Sequence, residues 1–105
     1  MTAEALTPVF SALGDDTRWA ILARLGEAPA SASALARELP ISRQAIVKHL
    51  ELLGAVGLVE SERVGRELVH RALGGRLSDV ARELERIGRT WDSRLARIKR
   101  LAEEG

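Results

Sequence analysis

The chain has 105 residues, 46% of them apolar, and its 16 basic and 15 acidic residues leave a net charge of +1. That length suits one domain with a single core. The absence of cysteine excludes disulfides, thiolate redox chemistry and cysteine-ligated zinc.

No apolar run approaches the roughly 18 residues of a membrane span, and the first residues lack the basic flank and long apolar stretch of a signal peptide. The chain is therefore expected in the cytoplasm, with no membrane partner. A near-neutral total does not announce a polyanion binder, so any argument for nucleic acid rests on local charge. Residues 1–40 carry 3 basic and 5 acidic groups, 41–75 carry 5 and 4, and 76–105 carry 8 and 6.

In chain order, Leu6, Val9, Phe10 and Leu13 recur at helical spacing, which predicts a helix over Ala3–Leu13 that Gly14 ends. Asp15 or Asp16 is suited to cap a second helix over 17–26, with Trp19, Ile21, Leu22 and Leu25 turned inward. After Pro29, Ser31 or Ser33 caps a short third helix holding Leu35, Ala36 and Leu39, which Pro40 stops. Ser42 is a good N-cap for a fourth helix, and Ile41 before it is placed to staple onto Ile46. Gly57 suits that helix's end, because glycine adopts a left-handed backbone without strain. Residues 58–63 and Glu67–Ala72 then read as two strands around "RVGR", a hairpin.

From 77 onward Leu77, Val80, Leu84, Ile87, Trp91, Leu95, Ile98 and Leu101 are spaced by threes and fours. A helix over 77–103 reaches roughly 40 Å at 1.5 Å per residue, more than a domain of this size needs for its own core. Its apolar stripe is therefore expected to be an interface, with Trp91 as an anchor. The arginines on its other face alternate with acids and read as solvated partners of them.

The fourth helix carries the functional signal. With Ile46 at the centre of its buried face, Leu50 and Leu53 fall on the same side, while Gln44, Lys48, Glu51 and Ala55 fall opposite. Arg43, Ala45 and Val47 lie on the flanks. The first two turns thus offer an amide, two cations and small apolar groups. Gln pairs bidentately with adenine, Arg or Lys with guanine, and Ala or Val meets a thymine methyl. The N-terminal N–H groups suit a phosphate oxygen. A short helix, a tight turn and this helix form a helix-turn-helix pattern over about 33–56. The hairpin behind it, about 58–72, makes a wing that brings Arg63 and Arg66 toward the neighbouring backbone or minor groove. Both arginines also sit among Glu60, Glu62 and Glu67, which they are able to neutralise instead. His49 lies at the edge of the buried stripe and reads as packed; His70 reads as a half-buried strand residue.

Three segments in order, "LGDDTRWAILARL" (13–25), "SALARELPISRQAIVKHLELLGAVGLVE" (33–60) and "RVGREL" (63–68), resemble the ArsR-type winged helix-turn-helix repressors over about two-thirds of the chain. The resemblance implies a mainly α fold with a small β-hairpin and a homodimer paired through its first and last helices. It also implies an inverted-repeat DNA operator whose occupation blocks transcription. On that basis Ser42, Arg43, Gln44, Ala45, Val47, Lys48, Arg63 and Arg66 are the candidate DNA contacts. Leu6, Val9, Phe10, Leu84, Ile87, Trp91, Leu95 and Ile98 are the candidate dimer contacts. Asp16 stands where the family usually has proline, Val47 where it often has serine, and Gly54 falls inside the helix. Ser31 and Ser33 occupy the positions where metal-sensing members carry Cys-x-Cys. The last helix holds no histidine, so Asp79 and Glu83 alone make a poor transition-metal site, and no metal or cofactor is expected. No nucleophile–base pair or phosphate loop suggests an enzyme. The competing reading is a winged-helix module for protein–protein contact without DNA affinity. The sequence assigns no effector.

Overall fold

The computed structural model describes the backbone of residues 3–104 and the side chains of residues 7–104. Helices α1 (Ala3–Leu13) and α2 (Asp16–Glu27) meet at a corner that the "GDDTR" stretch builds. Asp15 is the N-cap of α2, its carboxylate accepting from the Arg18 N–H at 3.0 Å. The Arg18 backbone N–H holds that carboxyl below the usual carboxylate range. The Arg18 guanidinium turns the other way: its Nε donates to the Ala12 carbonyl at 2.7 Å and Nη2 to Ser11 at 3.4 Å. Those are carbonyls that the end of α1 leaves without helical donors. One residue pair thus starts one helix and closes the other.

Strand β1 (Ala30–Ser31) follows, then α3 (Ala32–Glu38) and α4 (Arg43–Ala55). Ser31, not Ser33, caps α3, its Oγ accepting from Ala34 N–H at 3.1 Å. Ser42 caps α4, accepting from Ala45 N–H at 3.2 Å. Arg24 and Glu38 pair to tie α2 to α3, and the guanidinium holds the Glu38 carboxyl below its ordinary range.

The end of α4 is a Schellman motif. Leu58 N–H donates to Leu53 at 3.0 Å and Gly57 N–H to Gly54 at 3.1 Å. Gly57 has φ +79°, the left-handed conformation that a side chain resists. The motif turns Leu58 back onto Leu53, both wholly buried, and launches strands β2 (Val59–Val64) and β3 (Glu67–Ala72). Gly65, φ +63°, takes the first central position of their two-residue loop, as a II′ hairpin requires. The sheet is antiparallel in the order β1-β3-β2. Helix α5 (Gly74–Glu104) closes the chain.

The core gathers Val9 and Ala12 from α1, Ile21, Leu22 and Leu25 from α2, and Leu35 from α3. Ile46, Leu50 and Leu53 come from α4, with Leu58, Val59 and Val80 completing it. Beyond Val80 and Glu83, α5 buries no residue, and it draws the molecule out to 68 × 27 × 21 Å. The radius of gyration is 18.5 Å, against about 13 Å for a compact chain of this length. Among the described residues, no helix is long and apolar enough to cross a membrane.

Several expectations are corrected. Trp19 does not turn inward: it is 59% exposed, because about 120° of helix separates it from Leu25. Val9 is 1% exposed and belongs to the protomer's own core, so it has no surface to offer a second copy. The hairpin is joined by a third strand, β1. Helix α5 begins at Gly74 rather than 77, despite two glycines that disfavour a helix. His70 is buried rather than half-buried. The side chain of Leu6 lies outside the described residues.

Candidate nucleic-acid interface

Helix α4 lies with Ile46, Leu50 and Leu53 against the core. A helix gripped on one side presents the other, and Gln44, Lys48, Glu51 and Ala55 are all exposed there. Ser42 and Arg43 are exposed as well, at the helix start, while Ala45 and Val47 are half-buried on the flanks. Arg43 is not free to swing: its Nε donates to Ser33 Oγ at 3.0 Å, which fixes the guanidinium across the α3–α4 turn. Ser33 is a contributor to this site that sequence reading offered only as a helix cap; it stands ten residues from Arg43 and meets it only when the turn closes.

Beside α4 the wing projects with every β2 residue after Val59 exposed. The register explains its charges. Glu60 stands directly opposite Arg71, and Arg71 takes both Glu60, at 3.7 Å, and Glu62, at 2.8 Å. Cross-strand neighbours of opposite sign pair across a sheet, whereas chain neighbours point to opposite faces. For Glu60 and Glu62, Arg71 therefore does what Arg63 and Arg66 were candidates to do. Among the described residues, Arg63 and Arg66 have no ion-pair partner, and both are exposed at the hairpin tip.

The wing is braced at its base by His70, whose Nδ1 is 2.7 Å from Ser61 Oγ. His70 faces Ala30 of β1 on one side and Ser61 of β2 on the other. Burial pushes the ring's pKa below the ordinary histidine value. Between α4 and the wing runs a groove of about 360 Å³, where Arg43, Val47 and Glu51 of α4 face Arg66, Glu67 and His70 of the hairpin. The fold thus brings Arg43, Val47 and Arg66 to one groove, while Gln44 and Lys48 stand outside its lining on the open face of α4. No group of three or more potential metal ligands occurs among the described residues.

A second, larger cavity of about 520 Å³ is almost wholly apolar, formed by Phe10 and Leu13 of α1, Trp19 and Leu22 of α2, and Leu77 and Leu84 of α5, among others. From it the α5 stripe runs on, with Leu84, Trp91, Leu95, Ile98 and Leu101 between 53% and 62% exposed. Ile87 and Phe10 are half-buried. Arg94 covers one face of the Trp91 ring, 5.6 Å from its centre.

A family profile for a helix-turn-helix domain matches residues 13–62. The chain is 36% identical over 77 residues to the HTH-type transcriptional regulator Rv2034 of Mycobacterium tuberculosis, covering 73% of this chain and 72% of that one. In structure it is similar to an ArsR-like transcriptional regulator from Rhodococcus sp. RHA1, with 61% identity, a TM-score of 0.84, and coverage of 94% of this chain and 93% of that one. It is also similar to the homodimeric winged helix-turn-helix DNA-binding domain Mb0332 from Mycobacterium bovis, with 27% identity and a TM-score of 0.66 over 85% of this chain and 80% of that one.

Proposed function

The chain belongs to the ArsR-type family of winged helix-turn-helix transcriptional regulators, and from that premise we propose that it is a cytoplasmic repressor that binds an inverted-repeat operator as a homodimer. The whole chain acts as one winged unit. Gln44 and Lys48 read base edges in the major groove, with Ala45 and Val47 against thymine methyls. Ser42 and Arg43 hold phosphate at the start of α4. Arg63 and Arg66 reach the adjacent backbone or minor groove.

One observation carries this reading: an exposed amide and ammonium on the outer face of α4 stand beside two exposed wing arginines that make no ion pair among the described residues, Glu60 and Glu62 being held by Arg71. Pairing supports the rest. The apolar cavity beside Phe10 and Trp19 continues into the exposed stripe of Leu84, Trp91, Leu95 and Ile98. A continuous apolar surface of this length is the kind that association covers. Two copies joined there present two recognition helices, which fit successive major grooves about 34 Å apart.

A gel-shift titration against a duplex selected from a random library tests the proposal. With on the order of six phosphates neutralised per dimer, affinity is expected to fall about a thousandfold between 50 and 200 mM salt. Absence of duplex binding, or binding indifferent to salt, contradicts it and favours the protein-contact module.

A further inference from the structure

Helix α5 is the longest element and the one its own protomer holds least. Its buried residues are Val80 and Glu83, and every described residue from 88 to 104 is exposed. Whatever fixes the angle between α5 and the helix-turn-helix therefore acts near the helix start. Three contacts meet there. Leu73 N–H, just before α5, donates to the Leu58 carbonyl at 2.9 Å. Leu77 packs against the core. Arg76 Nε donates to the Val56 carbonyl at 3.3 Å, a side-chain hydrogen bond from α5 to the end of α4.

Val56 is the C-cap of α4. Carbonyls at that end lack helical donors and attract a cation through the helix dipole. The adjacent Gly57 lies close by, with a Cβ built there standing at an ordinary van der Waals 3.5 Å from Arg76 Nε. A guanidinium from the helix that bears the interface stripe thus grips the far end of the helix that bears the outward amide and cations.

We infer that Arg76 is a positioning residue for DNA binding: by fastening α5 to the end of α4 it sets the separation of the two recognition helices, and so the half-site spacing the dimer accepts. The inference rests on the dimeric, DNA-binding reading above. The lever is long enough to matter. From the C-cap to the N-terminus α4 spans about 20 Å. A pivot of roughly 10° at Val56 therefore moves the reading end by about 3.4 Å, one base-pair step. Because α5 is so lightly held elsewhere, loss of one tie near its root permits such a pivot.

The experiment compares the wild type, Arg76→Ala and Arg76→Lys on the duplex that the wild type selects, and on the same duplex with one base pair added or removed between half-sites. The wild type is expected to prefer its own spacing by about tenfold, the scale of one mismatched base pair. Arg76→Ala narrows that preference to about threefold or less, with dimer mass and far-ultraviolet circular dichroism unchanged. Arg76→Lys restores it, because an ammonium on a long stem still reaches the carbonyl. Should Arg76→Ala lose its fold, Arg76→Met, which keeps an apolar stem of similar length but has no N–H to donate to the carbonyl, is measured in its place.

Equal weakening on all three duplexes, with the spacing preference intact, overturns the inference and reduces Arg76 to a structural contact. A wild type that selects no duplex overturns the repressor reading, and this inference with it. A wild type that binds without any spacing preference overturns the inference alone.

Discussion

Helices α4 and α5 carry the same kind of pattern, apolar residues every three or four positions, and their apolar faces end in opposite surroundings. In α4 that face is buried: Ile46 and Leu53 are wholly covered and Leu50 nearly so. In α5, Leu84, Trp91, Leu95, Ile98 and Leu101 stand more than half exposed. Both faces have the same reason to leave water; they differ in what stands next to them. Helix α4 packs against α2, α3 and β2, while α5 leaves the body one turn after Val80. Spacing alone reports that a helix has an apolar side. Which chain covers that side is decided by the elements around it, and for α5 a second copy is the proposed answer.

The comparison is sharpest when one substitution is made in both places. Leu53→Ala is expected to lower the free energy of unfolding by about 2–5 kcal/mol, as truncation in a filled core does. Leu95→Ala is expected to leave each protomer's secondary structure intact and to weaken association instead. Each copy loses roughly 1 kcal/mol of burial, since Leu95 is already partly covered in the protomer, and the loss counts twice in a symmetric pair. Urea unfolding followed by circular dichroism reads the first effect, and sedimentation across a concentration series the second. If Leu95→Ala unfolds the protein while Leu53→Ala does not, the roles of the two faces are reversed.

Two glycines within and just beyond α4 refine the account of how that helix is held. Gly57, at φ +79°, is required by its backbone, and Gly57→Ala is expected to cost about 1–2 kcal/mol. Gly54 has ordinary helical geometry, and a Cβ there meets only the Val59 carbonyl at 3.7 Å. Gly54→Ala is therefore expected to stabilise the fold by up to about 1 kcal/mol. Thermal melting checks both, and the opposite signs are the point of the pair.

The smallest effect concerns the root of the wing. Burial lowers the His70 pKa in the folded chain, so the folded state favours the neutral ring. The stability this contributes is present above the unfolded value, about 6.5, and is lost as pH falls through the folded value. The melting temperature is expected to drop between about pH 7.5 and 5.5, and His70→Gln to flatten that part of the profile. A wild-type profile that is level over this window contradicts the assignment.

Much of the architecture is legible in the sequence because each helix carries local punctuation. Ser42 before α4, Gly57 after it and Asp15 before α2 are caps whose chemistry does not depend on distant partners. The face of α4 follows from its period, so Gln44 and Lys48 fall outward without knowledge of the fold. Features made by pairing at a distance are not legible. Strand β1 is two residues long, too short for any alternation, and exists through Val69 and His70 of β3. Arg71 claims Glu60 and Glu62 because of the hairpin register, not because of closeness in the chain. Trp19 looks like a core residue by composition and sits on the shoulder of its helix. The start of α5 at Gly74 contradicts local propensity and coincides with the ties made by Leu73, Arg76 and Leu77.

The most direct measurement is the base preference of two variants, Gln44→Ala and Arg66→Ala, each profiled against a library of duplexes related to the one the wild type selects. If α4 reads bases and the wing holds backbone, Gln44→Ala relaxes preference at one position per half-site by about 1–3 kcal/mol and leaves the others unchanged. Arg66→Ala weakens all sequences alike and makes the salt dependence shallower. A Gln44→Ala profile identical to the wild type's, or a uniform loss across all sequences, contradicts the assignment of the outer face of α4 as the surface that reads DNA.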